Sequence, residues 1–93
     1  MHSLLKTGDL ERALQSVPHW IVENSALQRR FVFRNFIDAF GFMTKVALLA
    51  ERMNHHPDWR NSYRTVFIEL RTHDAGGITG KDIELAMAID RLI

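Results

Sequence analysis

The sequence predicts an α+β fold: an antiparallel sheet with helices packed on one face, in the order helix, strand, strand, helix, strand, helix. Three observations predict it. Apolar residues recur at spacings of three and four from Phe36 to Met53, the signature of one long helix. Segments rich in β-branched and aromatic residues lie on both sides of it, at 19–34 and 62–70. Runs of strand and helix in that order, without internal repeats, favour an antiparallel sheet over a parallel one.

Ninety-three residues are enough for one core, so residues 1–93 read as a single domain. Hydrophobic residues at 46% and charged residues at 25% mark a globular chain rather than a disordered one. The twelve Lys and Arg are scattered among eleven acids for a net charge of +1, which argues against a nucleic-acid partner. Without cysteine there is neither disulfide nor thiolate chemistry. No apolar run reaches the ~18 residues of a membrane span, and no signal-peptide core opens the chain. The expected location is the cytoplasm, with no membrane partner.

Residues 1–8 are expected to be loosely ordered, with Thr7-Gly8 as a turn and Asp9 capping a short helix from Leu10 to Gln15. His19 to Glu23 and Leu27 to Arg34 form a hairpin turned by Asn24-Ser25. Leu27, Arg29, Phe31 and Phe33 share its core face. The alternating arginines and aromatics also suit stacking on nucleic acid, but period-two alternation of a half-buried strand writes the same pattern.

Asn35 and Asp38 are an N-cap and its acidic third position, opening the long helix. Phe36, Phe40, Met43, Ala47 and Ala50 define its expected inward stripe, widened by Ile37, Val46, Leu49 and Met53. Ser62 to Leu70 is the third strand, with Val66, Ile68 and Leu70 on one face and Tyr63, Thr65 and Phe67 on the other. Apolar groups on both faces suggest a partly covered second face, and a narrow sheet has edges to protect, so a homodimer or larger oligomer is expected. Thr79 and Asp82 cap a last helix over 80–92 that buries Ile83, Ala86, Met87 and Ile89.

Chemistry concentrates where the long helix runs out, at Glu51-Arg-Met-Asn-His-His-Pro-Asp-Trp59, and seventeen residues after His56 at Thr72-His73-Asp74. We read these as halves of one site. Adjacent imidazoles resist being charged together, and histidine is the side chain that exchanges protons near neutrality, as a general acid or base must. Pro57 holds His56 extended and ends the helix before it. Glu51, one turn before His55, is placed to orient that ring.

Two other readings stay open at this point. Three imidazoles with Glu51 or Asp74 include zinc-ligand types, although neither an i, i+4 histidine pair nor paired cysteines occur, so no metal is expected. Alternatively His55 is a helix C-terminal cation, His56 a loop residue and His73 a strand-end residue. His2 and His19 need no function. No serine sits in a nucleophile elbow, and Gly76-Gly77 lacks the ending of a phosphate loop.

The run Glu51-x-x-x-His55-His56-Pro57-x-Trp59-x-Asn61-x-Tyr63, then Thr72-His73-Asp74-Ala75-Gly76-Gly77-Ile78-Thr79-x-x-Asp82, closely resembles the signature of the pterin-4a-carbinolamine dehydratase family. Phe31, Phe33, Phe36, Ala47 and Ala50-Glu51 fit the same pattern, and the similarity extends from about Trp20 to the C-terminus. The resemblance implies dehydration of 4a-hydroxytetrahydropterin to quinonoid dihydropterin, recycling the pterin of aromatic amino acid hydroxylases. It implies His55, His56 and His73 as catalytic residues and Asn54, Arg71, Thr72 and Asp74 as substrate-binding ones, with Glu51, Pro57 and Trp59 in support. Asn54 stands where an acid is sometimes found in that family. The pterin is then the substrate and no cofactor is implied. The implied partners are further copies of the chain, as a homodimer or homotetramer, and a pterin-dependent hydroxylase. Animal members of the family also serve as dimerisation cofactors of a homeodomain transcription factor, so a non-enzymatic protein-binding module is the alternative.

One geometric demand follows. A nine-residue strand separates the two motifs by roughly 30 Å, and 54–61 can reach back about 27 Å at most. Closure within one subunit, the expected arrangement, uses nearly all of that reach.

Overall fold

The structure, a computed structural model, describes residues 3–93. Met1 and His2 lie outside the described residues, so the expectations for them stand outside this account. The elements are α1 (Thr7–Leu14), β1 (Ile21–Glu23), β2 (Ala26–Val32), α2 (Phe36–Met53), β3 (Asp58–Ser62), β4 (Thr65–Leu70) and α3 (Gly80–Asp90). The four strands form one antiparallel sheet in the order β1-β2-β4-β3. The α+β class and the antiparallel sheet are as read from the sequence.

Three expectations are corrected. Residues 5–8 are held in place: the Leu5 N–H donates to the Ile78 carbonyl at 3.0 Å, and α1 already begins at Thr7. Its N-cap is Lys6, and Asp9 lies within the first turn, paired with Arg12. Leu4 also lies against Gly77, where a Cβ would come within 2.8 Å of it.

The second correction is an additional strand. Ser62 to Leu70 is not continuous: Tyr63 turns the chain at φ 52°, and Asn61 Nδ2 donates to the carbonyls of Tyr63 (3.0 Å) and Thr65 (2.9 Å). Residues 58–61, read as part of the connecting segment, join Ser62 in a strand that pairs with β4 from Asp58↔Glu69 to Ser62↔Thr65. Polar, proline-preceded sequence hides this strand because it is an edge, where only half the backbone and little of the side-chain surface needs covering.

The third concerns the phase of α2. Its start is as expected, Asn35 accepting from the Asp38 N–H at 2.8 Å. Its buried residues, however, are Ala39, Phe42, Val46 and Ala50, flanked by half-buried Met43, Leu49 and Met53. Phe36, Ile37, Phe40, Ala47 and Leu48 face outward. Periodicity alone could not separate the two stripes, because α2 is apolar over most of its circumference.

Leu27, Phe31, Val66, Ile68 and Leu70 supply the sheet side of the core, and Val46, Ile83, Leu85, Ala86 and Ile89 the helix side. Each of these side chains larger than alanine contributes about 1.5–3 kcal/mol by leaving water. Phe31 and Phe42 lie with centroids 4.8 Å apart across the layers. Arg29, on the inward face as expected, bonds Asp90 at 2.7 Å, and the Trp20 indole N–H donates to the same carboxylate oxygen at 2.8 Å. That acid at the unfavourable end of α3 is thereby neutralised and tied to β2. The β1–β2 turn uses Asn24 and Ser25, both at positive φ (54° and 59°), the conformation that suits a two-residue hairpin.

Candidate active site

The hairpin of β3 and β4 closes the distance between the two motifs. β3 leads away from the end of α2 and β4 returns beside it in register, so His73 arrives next to Asp58, four residues from Asn54. The two halves meet within one chain, around a cleft of about 480 Å³.

Local structure explains the placement. Asn54 ends α2 in the left-handed conformation (φ 51°, ψ 43°), which asparagine tolerates better than most residues, and this sharp exit turns His55, His56 and Pro57 into the cleft wall. On the other side, Thr72 bridges Gly77, and its carbonyl accepts from Ala75 and Gly76. Gly76 takes φ 78°, so a tight turn lifts His73 and Asp74 from the end of β4.

His55 is 11% exposed and places Nε2 2.6 Å from Oδ1 of Asp82, which is fully buried. Asp82 Oδ2 also accepts from the Thr79 N–H at 2.8 Å and the Thr72 hydroxyl at 2.9 Å, while the Thr72 and Thr79 hydroxyls lie 2.7 Å apart. Three donors thus converge on one carboxylate, which is the same side chain that closes the capping box of α3. A carboxylate only accepts, so Nε2 of His55 carries the proton of this pair and Nδ1 is the nitrogen left for other chemistry. The sequence marked Asp82 as a cap and as part of the second motif, without linking it to His55.

Other expected contacts are redistributed. Glu51 reaches His56 (2.8 Å), not His55, and both of these side chains are exposed. His73 Nε2 lies 3.3 Å from Asp58 Oδ2, which makes Asp58 the acid beside that ring. Asp74 lines the cleft, exposed. Thr72 lines the cleft but is largely buried, and its hydroxyl is engaged by Asp82 and Thr79. Trp59 is absent from the cleft wall: it faces the core opposite Ile68.

Lys81, unsuspected from sequence, lines the cleft and donates to the Met53 carbonyl at 2.6 Å, satisfying an open end of α2. Arg71 also lines it, held at 2.6 Å by Glu69, with its Nε buried and unpartnered among the described residues. The cleft therefore offers imidazoles, carboxylates and two cations around a space large enough to admit a small heterocycle. Such a set can move protons on, and hydrogen-bond the edge of, a flat polar ring. No helix among the described residues is long and apolar enough to cross a membrane.

Comparison with known proteins agrees with this architecture. A "Putative pterin-4-alpha-carbinolamine dehydratase" of Prochlorococcus marinus is 54% identical over 93 residues, covering 100% of this chain and 98% of that protein. One of the same name from Bradyrhizobium diazoefficiens is 49% identical, covering 99% and 94%. The crystal structure of a transcriptional coactivator/pterin dehydratase from Brucella melitensis superposes with a TM-score of 0.91 at 37% identity, covering 95% of this chain and 96% of that one. The model of the family described as pterin 4 alpha carbinolamine dehydratase matches residues 3–92, and the chain belongs to that family.

Proposed function

We propose that this protein dehydrates 4a-hydroxytetrahydropterin to quinonoid dihydropterin by histidine general acid–base catalysis, returning pterin to aromatic amino acid hydroxylation in the cytoplasm. The single observation that carries the mechanism is the buried Asp82–His55 pair opening on the cleft that His73 faces.

Dehydration breaks the C4a–O bond. One imidazolium, of His55 or His73, gives its proton to the hydroxyl, which leaves as water. The lone pair of the neighbouring ring nitrogen forms the new C=N bond, and that nitrogen's proton passes to a neutral imidazole across the ring. Proton count and charge balance without an oxidant, and the pterin is substrate rather than cofactor. Asp82 fixes the His55 ring and its tautomer, while His56, restrained by Glu51, assists from the rim. Asp74 and Asn54 suit the amino-pyrimidinone edge, whose N–H groups need acceptors. General acid–base help of this kind is worth about 10²–10⁴-fold.

Stopped-flow mixing with enzymatically generated 4a-hydroxytetrahydropterin should accelerate loss of the carbinolamine absorbance. No acceleration at micromolar protein ends the proposal.

A second reading rests on the outer face of α2, where Phe36, Ile37 and Phe40 are 44%, 78% and 55% exposed. An apolar helix face of this kind suits association with copies of the chain as a homodimer or homotetramer, or with another protein such as the hydroxylase. The coactivator name of the Brucella structure fits a protein-binding role. Stoichiometric capture of a protein partner without dehydratase activity would put this reading first.

A further inference from the structure

The open face of the sheet carries a row of side chains that the proposed reaction does not use. Arg30 on β2, Phe67 on β4 and Arg60 on β3 stand abreast in the register, and the Arg60 guanidinium lies 4.6 Å from the Phe67 ring centroid. Both arginines are exposed, and neither pairs with a carboxylate among the described residues. The acids on this face are already engaged nearer the cleft. Glu69 holds Arg71 at 2.6 Å and Gln28 at 2.6 Å, and Asp58 lies against His73. Charge along the face therefore runs from paired groups at the cleft to unpaired positive charge two residues further on.

The surface is continuous in the same direction. The cleft shares Asp58 with a hollow of about 260 Å³ walled by Asp58, Trp59, Arg60, Phe67 and Glu69. That hollow shares Arg60 and Phe67 with another of about 240 Å³ that reaches Arg30. Two residues of strand separate Asp58 from Arg60, about 7 Å, and Arg30 lies two strand spacings across from Arg60, roughly 10 Å.

We propose that this groove is a subsite for an anionic side chain of the pterin, so that the preferred substrates are pterins whose substituent ends in carboxylate or phosphate about 7–12 Å from the ring. The inference rests on the dehydratase reading of the cleft. Guanidinium forks bind either anion in bidentate fashion. An aromatic linker has a surface to lie on in the stacked Arg60–Phe67 pair. The Arg71 guanidinium, 2.6 Å from Glu69, offsets the charge of the acid that stands between the cleft and Phe67.

The test is calorimetric titration of three dihydropterins: one with a neutral methyl substituent, dihydroneopterin monophosphate, and dihydrofolate, whose carboxylates follow an aromatic linker. Wild type should bind at least one anionic compound about three- to ten-fold more tightly than the neutral one, as two exposed ion pairs allow. The Arg30→Gln/Arg60→Gln double variant should lose that preference while keeping its affinity for the neutral compound, and Arg60→Lys should retain part of it. Which anion is favoured tells carboxylate from phosphate. Equal binding of all three by wild type, or a preference that survives in the double variant, overturns the subsite and leaves the dehydratase reading standing. Failure of every dihydropterin to bind overturns both.

Discussion

Nε2 of His55 lies 2.6 Å from Oδ1 of Asp82, a carboxylate with no exposed surface that also caps α3 and accepts from Thr72. One side chain thus joins the stability of the last helix to the orientation of a ring in the cleft. Asp82→Ala removes the cap and leaves buried donors unpaired. It is expected to lower unfolding free energy by about 2–4 kcal/mol in urea titration. Asp82→Asn keeps the shape but offers an amide donor where His55 needs an acceptor, which favours the opposite tautomer. Its fold should persist by circular dichroism while kcat/KM drops at least ten-fold. Wild-type turnover in Asp82→Asn would separate this contact from the chemistry.

His55 and His73 flank the cleft from its two halves. Replacing either by Ala should slow dehydration by about 10²–10⁴-fold with native stability largely kept for His73, which is 68% exposed. Stopped-flow rates equal to wild type for His73→Ala would take that ring out of the mechanism.

Among the described residues the Glu51 carboxylate bonds His56 alone, and both side chains are exposed. Glu51→Gln is therefore expected to change stability by less than about 0.5 kcal/mol and turnover by less than about three-fold. A hundred-fold loss would show that Glu51 works on the reacting centre directly.

Asn54 holds a left-handed backbone at the exit of α2. Asn54→Gly should preserve the fold, whereas Asn54→Val should cost about 1–2 kcal/mol and disturb the adjacent His55, measured as a lower urea midpoint together with a lower rate. Equal midpoints for the two variants would show the conformation to be unstrained for valine.

Phe40 stands on the outward apolar face of α2 at 55% exposure. If copies of the chain associate through that face, sedimentation velocity should find an oligomer for wild type and a smaller species for Phe40→Glu, with secondary structure unchanged. An identical sedimentation coefficient for both would place any association elsewhere.

Local signals in the chain settled a great deal by themselves. Asn35 with Asp38, and Thr79 with Asp82, announce helix starts because a cap is a contact between residues three apart. Asn24-Ser25 announces a hairpin because its backbone demands positive φ. The glycine turn and the family that the two motifs point to were likewise legible, each motif being a run of residues close together in the chain. Tertiary structure alone decided which face of α2 is covered, since an almost wholly apolar helix carries two stripes and only the sheet chooses between them. It also decided that 58–62 is a strand, because a polar edge is stabilised by its partner β4 rather than by its own composition. For the same reason the acid that holds His55 is Asp82, twenty-seven residues away: a hydrogen bond across the fold leaves no trace in sequence spacing, whereas Glu51, one helical turn away, does.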